Sequence, residues 1–324
     1  MAEKKSVRSG RVVMAVSPHA GSGRGRSLVP ELRARLGGAG YEVLLSESLP
    51  TIKAAVLRKD DDPPLRAVAV LGGDGSLSLV ANTLPAGTPI LPVPLGTENL
   101  LARYFGCTAE PAAVVAAVQQ GRQRTIDAGT ANGKLFLVMA TCGFDAEVVR
   151  AMHLTRRGHI RRWSYFKPIA RAVRSYAYPE VRVVPGGGPT AAAAEGIEGE
   201  ATGAGAAAGR SDRPLTCRWA MVFNLPMYGG GLRIAPQAIP DDGQLDFVGL
   251  RGGGSLSTIQ YLSRVYSGRL QRRADGCARR GTSWRWEANV RVPFQLDGDY
   301  VGRLPVAIGT LPGRVTLILP PPVS

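Results

Sequence analysis

Along the first 125 residues, short apolar runs alternate with stretches of helical spacing. Arg11 to Val16, Glu42 to Leu45, Ala67 to Leu71 and Ile90 to Val93 read as strands. Arg26 to Gly37, Thr51 to Arg58, Ser76 to Leu84, Thr97 to Tyr104 and Pro111 to Gln120 read as helices, the first stopped by Gly37 and Gly38. Ala67 to Leu71 has no polar residue, as expected of a strand buried on both faces. Strand–helix alternation of this kind predicts a parallel sheet covered on both sides. After about Thr125 the pattern changes. Leu135 to Met139, Val181 to Val184, Arg218 to Phe223, Leu245 to Leu250, Asn289 to Leu296 and Arg314 to Leu319 are β-type runs separated by Gly, Pro and Asp. They predict a mainly β second domain, interrupted by one helical insert over about Ser164 to Tyr176.

Residues 186–213 fit neither pattern: they contain nine Ala and eight Gly, with Ile197 the only large apolar side chain. Such a segment buries too little surface to offset its ordering entropy, so a flexible insertion within the second domain is expected. The expected division is 11–125 for an α/β domain and 126–324 for a mainly β domain, with the option that the last residues return to the first.

Composition narrows the class. At 324 residues with 44% apolar side chains, the chain can build sizeable cores, and it contains no apolar run of membrane-spanning length. The apolar stretch near the N-terminus, Val12 to Val16, is too short for a signal peptide, so the cytoplasm is the expected compartment. Cys107, Cys142, Cys217 and Cys277 are widely spaced and do not cluster with His19, His153 or His159, which argues against a zinc site. The net charge of +15 points instead to anionic partners: phosphate ligands, acidic lipid or nucleic acid.

The candidate chemistry sits in loops. Leu71-Gly72-Gly73-Asp74-Gly75-Ser76 joins an apolar strand to a helix. Its glycines allow close backbone approach, and the helix beyond offers free N–H groups to phosphate. It is neither a Walker A loop nor GxGxxG. Pro94-Leu95-Gly96-Thr97-Glu98-Asn99 repeats the arrangement, and Ser17-Pro18-His19-Ala20-Gly21-Ser22-Gly23-Arg24 is a third such loop. Three loops at three strand ends would converge on the carboxyl edge of the sheet, where open α/β sheets bind ligands.

These loops resemble the diacylglycerol kinase catalytic domain, whose superfamily includes sphingosine kinases and other lipid kinases. The C-terminal half is similar to the soluble bacterial branch through Cys142 to Val148, Asn224, Tyr228-Gly229-Gly230-Gly231, Ile234-Ala235-Pro236, Ala238, Asp242-Gly243-Gln244-Leu245-Asp246 and Gln295-Leu296-Asp297-Gly298-Asp299. Three positions depart from the family pattern: Ser17 stands for the usual Asn, Ser76 for Thr, and Asp299 for Glu. The resemblance implies an N-terminal α/β fold like that of phosphofructokinase and NAD kinase, and a C-terminal β-sandwich. It implies ATP at Ser17, Gly21, Ser46, Gly72, Gly73, Asp74, Gly75, Ser76, Thr97 and Asn99. It also implies a metal ion at Asp242, with the carbonyls of Ile239 and Gln244, and Mg²⁺ with the nucleotide. For the catalytic step, Asp297 is the first choice of base and Asp299 the second, with Asp74 orienting Mg²⁺.

Residues 150–178 carry eight Arg or Lys, no Asp or Glu, and five interleaved aromatics. Arg156, Arg157, Arg161, Arg162, Trp163 and Lys167 are the candidate contacts to an anionic membrane surface. The expected function is therefore an ATP- and Mg²⁺-dependent lipid kinase, cytoplasmic and peripherally membrane-associated, acting on diacylglycerol first. No nucleic-acid partner is expected, and a homodimer stands as an option. The alternatives are a sphingoid-base or other lipid kinase, an NAD kinase, and a non-catalytic protein that binds anionic membranes or nucleic acid.

Overall fold

The computed structural model describes residues 10–17, 24–58, 63–155, 166–186, 213–268, 270 and 276–321. The predicted insertion lies almost wholly outside the described residues, as do Gly21, Arg156, Arg157, Arg161, Arg162 and Trp163. The chain forms two compact units: residues 1–126 with 314–324, and residues 127–313.

Unit 1 holds β1 (Arg11–Val16), α1 (Arg24–Gly38), β2 (Glu42–Ser46), α2 (Leu49–Val56), β3 (Leu65–Gly72), α3 (Asp74–Thr83), β4 (Pro89–Pro94), α4 (Leu100–Tyr104) and α5 (Pro111–Gln120). The strands are parallel in the order β2-β1-β3-β4. Val12, Met14, Ala69 and Leu71 pack against Leu32 and Leu36 of α1 and Val114 and Val118 of α5. The chain comes back to this unit at its end, where Thr316 and Leu317 pair in parallel with Pro89 and Ile90. Arg314 secures that return by donating to the carbonyls of Ala81 (3.0 Å) and Leu84 (2.9 Å), just where α3 runs out of intrahelical partners.

Unit 2 receives the chain in β5 (Gln123–Ala131) and continues through β6 (Lys134–Phe136), β7 (Met139–Gly143), α6 (Phe144–Thr155), α7 (Phe166–Ser175), β8 (Val181–Pro185), β9 (Leu215–Cys217), β10 (Trp219–Phe223), β11 (Met227–Tyr228) and β12 (Leu232–Arg233). It then runs through β13 (Leu245–Leu250), α8 (Ser255–Tyr266), β14 (Gly276–Gly281), β15 (Ser283–Glu287), β16 (Pro293–Leu296), β17 (Asp299–Arg303) and β18 (Val306–Ile318). One antiparallel sheet has the order β14-β13-β10-β7-β16-β17. A second runs from the start of β18 through β15 and β8 to β9. Their inner faces share a core of Cys142, Val222, Phe247 and Phe294 from the first and Val183, Trp284, Trp286 and Ile308 from the second, as in a β-sandwich.

Two helices of this unit depart from the sequence reading. The apolar spacing Phe144, Val148, Met152 belongs to α6, which begins directly at the end of β7 without a polar turn to announce it. The second is α8, whose Leu256, Ile259, Leu262 and Tyr266 recur at helical spacing that the sequence reading assigns to no element. The predicted insert Ser164 to Tyr176 is α7, which includes Lys167 in its first turn. Among the described residues no helix is long and apolar enough to cross a membrane.

Candidate phosphate-binding loops and the Asp-Gly-Asp hairpin

The strand order of unit 1 reverses between β1 and β3, which makes the carboxyl ends of those strands the switch point of the sheet. Ser17 follows β1 and donates its N–H to the carbonyl of Leu71 at 3.1 Å; Leu95, after β4, donates to that of Gly72 at 3.0 Å. The loops after β3 and β4 therefore meet closely with Ser17 beside them, while residues 18–23 of the first predicted loop lie outside the described residues. A Cβ on Gly96 would lie 2.6 Å from the Cα of Gly73, and one on Gly72 would lie 2.5 Å from Ser76 Oγ and 3.5 Å from Ser17 Cβ. Gly73 and Gly96 are needed for backbone-on-backbone contact and Gly72 for the approach of the Ser76 side chain, and none of the three has positive φ.

Within these loops several side chains are already engaged. Asp74 accepts from the N–H groups of Leu100 (2.8 Å) and Leu101 (3.0 Å), so it caps α4 across 26 and 27 residues. Burial raises its carboxyl pKa, and the amides of Leu101 and Leu100 work in the opposite direction. Asn99, at φ 50°, accepts from Gly96 N–H and donates to Gly96 C=O, both at 2.8 Å. It closes the loop on itself instead of offering its amide outward. Ser46 Oγ similarly accepts from Ser48 N–H at 3.1 Å and turns the end of β2. Thr97 is exposed, and Gly73, Gly75 and Ser76 are half-buried. The α3 N-terminus follows Gly73; Ser76 N–H already donates to the Gly73 carbonyl at 3.0 Å and Asp74 N–H turns to its own carboxylate, so the Gly75 amide and the positive end of the helix dipole are what this end offers to a phosphate group.

In unit 2, β16 and β17 form a hairpin with Leu296 paired to Asp299. The two intervening residues, Asp297 and Gly298, have φ 49° and 89°, the signs a type I′ turn demands. The Asp-Gly dipeptide therefore serves both as a turn and as a carrier of carboxylates. Asp297 Oδ2 accepts from Leu137 N–H (2.8 Å), and its Oδ1 accepts from Val138 and Met139 N–H (both 2.9 Å). Asp299 opens β17 and is exposed. The two carboxylates that the sequence ranked together are thus placed in different surroundings: Asp297 is half-buried against three main-chain N–H groups, and Asp299 is exposed.

A buried network that the sequence reading missed supports this hairpin. Gly298 N–H donates to Gln295 Oε1 at 2.7 Å. The amide of Gln295 donates to Thr141 Oγ1 (2.9 Å) and to Asp145 Oδ2 (3.2 Å), and Asp145 also accepts from the hydroxyls of Thr141 and Tyr228. A Gln within the buried run Pro293–Leu296 is the sequence signal that could have revealed it. Burial raises the Asp145 pKa, opposed by its bonds from Thr141 and Gln295. The folded state then binds this proton more tightly than the unfolded chain. Stability from this group is complete below the unfolded pKa and is lost as pH rises through the folded one. Asp145→Asn is therefore expected to melt higher than the parent at neutral pH, with the gap closing on acidification. Thermal unfolding of both chains across that range checks it, and a constant gap would remove the titration as its cause.

The predicted metal position holds a different cation. Asp242 Oδ1 accepts from Gln244 N–H at 3.0 Å, while Oδ2 pairs with the guanidinium of Arg280. Arg280 also lies 3.5 Å from Asp246. A metal ion bound to Asp242 does not fit this arrangement unless Arg280 leaves, and Ile239 beside it is exposed. Nearby, Asp127 accepts from Gly243 N–H (2.6 Å) and Gly313 N–H (2.8 Å). Among the described residues no three His, Cys, Asp or Glu side chains converge as a metal cage. The cysteines are free, and burial pushes the Cys107 thiol up to about 12, a structural thiol and not a nucleophile.

Two family models match the chain. Residues 11–131 match the diacylglycerol kinase catalytic domain, and residues 138–319 match the YegS C-terminal NAD kinase beta sandwich-like domain. The chain is 28% identical over 325 residues to a diacylglycerol kinase of Mycobacterium tuberculosis, covering 96% of each protein. It is 49% identical over 80 residues to a probable YegS-like lipid kinase of Pseudomonas aeruginosa, covering 24% of this chain and 26% of that one. A crystal structure of a putative diacylglycerol kinase from Bacillus anthracis superposes with a TM-score of 0.71 at 18% identity, over 99% of this chain and all of the other, which shows a shared fold.

Proposed function

The chain belongs to the diacylglycerol kinase catalytic-domain family with a YegS-type C-terminal domain, and from that membership we propose that it transfers the γ-phosphoryl group of ATP to a hydroxyl of a membrane lipid, diacylglycerol first. The observation that carries the proposal is the contact of Gly73 with Gly96 at the switch point of the unit 1 sheet. With no side chains between them, the phosphates of a nucleotide can approach the Gly75 amide at the start of α3, where the helix dipole favours negative charge.

Phosphoryl transfer needs positioning and charge neutralisation more than covalent help from the protein. Mg²⁺ arriving with the nucleotide would supply that neutralisation, and would need few protein ligands. Asp74, by capping α4, fixes the Gly96 loop against α3. Asp299 takes the proton of the lipid hydroxyl as its oxygen bonds to the γ-phosphorus and the bond to ADP breaks. Asp297 holds the hairpin in place, which reverses the order inferred from sequence. A carboxylate that accepts three amide bonds has less capacity left for a substrate proton.

The reading is tested with labelled ATP, Mg²⁺ and vesicles carrying diacylglycerol, a sphingoid base or monoacylglycerol, with NAD as a separate acceptor. Lipid-dependent transfer, greatest with diacylglycerol, is expected. Transfer to NAD alone, or to nothing, would overturn it. Gly96→Ala is expected to force the two loops apart and cost about 1–3 kcal/mol of stability. It should also abolish the rise in melting temperature on adding ATP; an intact ATP-dependent rise in this variant would remove the loop contact from the binding site.

A further inference from the structure

Helix α8 of unit 2 is amphipathic the wrong way round for a surface helix. Thr258 and Tyr261 are buried, while Leu256, Ile259, Leu262 and Tyr266 are 71%, 57%, 36% and 84% exposed. These four fall on one side at helical spacing. Single exposed apolar residues are ordinary, but a row of four along one helix marks an interaction surface.

Its surroundings are cationic. Ser255 Oγ donates to the carbonyl of Val173 at 2.6 Å, which ties the start of α8 to the end of α7, where Arg171 and Arg174 are exposed. Arg264 lies exposed in the last turn of α8. From Arg251 to Ala274 the sequence has no Asp or Glu. An open hollow of about 480 Å³ beside the helix start is lined by Arg174, Arg218, Tyr176, Tyr178, Gly254 and Ser255. Within it Arg218 is already held by the Tyr178 carbonyl and by Glu180 at 3.1 Å.

We propose that α8 seats this chain on an anionic bilayer, with Leu256, Ile259, Leu262 and Tyr266 entering the interface and Arg174 meeting lipid phosphates. Aliphatic side chains, a tyrosine suited to headgroup depth and flanking cations are the composition of an interfacial helix. A second copy of the chain is the poorer occupant, because a two-fold contact would bring like cations face to face. The proposal rests on the lipid-kinase reading only in saying where the lipid is met. It moves the contact from the centre of the basic run 150–178 to α8, with Arg171 and Arg174 at its edge.

The test is co-sedimentation of the full chain with phosphatidylcholine vesicles, with and without phosphatidylglycerol, in the absence of ATP. Binding is expected only with phosphatidylglycerol. Leu256→Ser with Ile259→Ser should weaken it about tenfold or more, and Arg174→Glu about fivefold. Circular dichroism should be unchanged, as should turnover on a short-chain acceptor in solution. Undiminished binding by the folded double variant would overturn the proposal. So would light scattering that shows a parent dimer converted to a monomer by the same variant. Should the double variant fail to fold, Tyr266→Trp gives a second readout: its added emission should shift to the blue on phosphatidylglycerol vesicles, and no shift counts against α8. A chain that docks through α8 but transfers no phosphate would refute the kinase reading alone.

Discussion

Asp299→Asn is expected to lower lipid-dependent phosphate transfer by about 10²–10⁴-fold while the chain stays folded. The residue opens β17, exposed, at the point where the Asp297–Gly298 turn delivers the strand. The amide keeps the shape and the polar character of the side chain and removes its capacity to accept a proton. Turnover should therefore fall with little change in the concentration of lipid needed for half-maximal rate. Initial rates on diacylglycerol vesicles at saturating ATP, with a melting curve on the same sample, check both parts. Turnover within about tenfold of the parent would return the base to Asp297, the order read from the sequence. The Asp here is one methylene shorter than the Glu usual in the family, so Asp299→Glu provides a companion variant that should keep substantial activity.

At Asp297 the larger loss is expected in stability. Its carboxylate serves three main-chain N–H groups, those of Leu137, Val138 and Met139, from 158 to 160 residues away. Asp297→Ala leaves all three without that acceptor, at about 1–3 kcal/mol for each one that stays buried and unpaired. It also places a β-carbon residue without Asp's local hydrogen bonding at φ 49°, which costs roughly 1–2 kcal/mol. The donors share one site, so the terms do not add, and an overall loss of about 3–5 kcal/mol is expected. That is a large part of the stability of an ordinary domain. Denaturant titration measures it, and a loss below about 1 kcal/mol would show that water replaces the carboxylate.

Much of unit 1 was legible because its signals are local. Strand β1 appears at Arg11–Val16 and α5 at Pro111–Gln120, as read from the chain, since runs such as Ala67 to Leu71 tolerate little else. Unit 2 was harder. Gly143, at φ 101°, turns β7 directly into α6, and a single glycine in an apolar run does not declare a helix. In α8 the apolar residues mark the surface, so the usual inference from periodicity to burial fails there.

The loops show the same division more sharply. That Gly72 to Ser76 and Pro94 to Asn99 carry chemistry follows from glycines placed after apolar strands. What each side chain does there does not follow: Asn99 binds its own loop, Asp74 caps a helix that begins 26 residues later, and Asp242 holds Arg280.

The amino-acid sequence by itself determined the order of strands and helices in unit 1 and the two glycine loops after β3 and β4. These depend on neighbours a few residues apart and on the backbone freedom of glycine. Only the tertiary structure decided that Asp297 is tied down and Asp299 exposed, that Asp145 is buried beneath them, and that the apolar face of α8 points outward. Those outcomes depend on partners brought together from distant parts of the chain, and on which surface is left uncovered once the cores are packed.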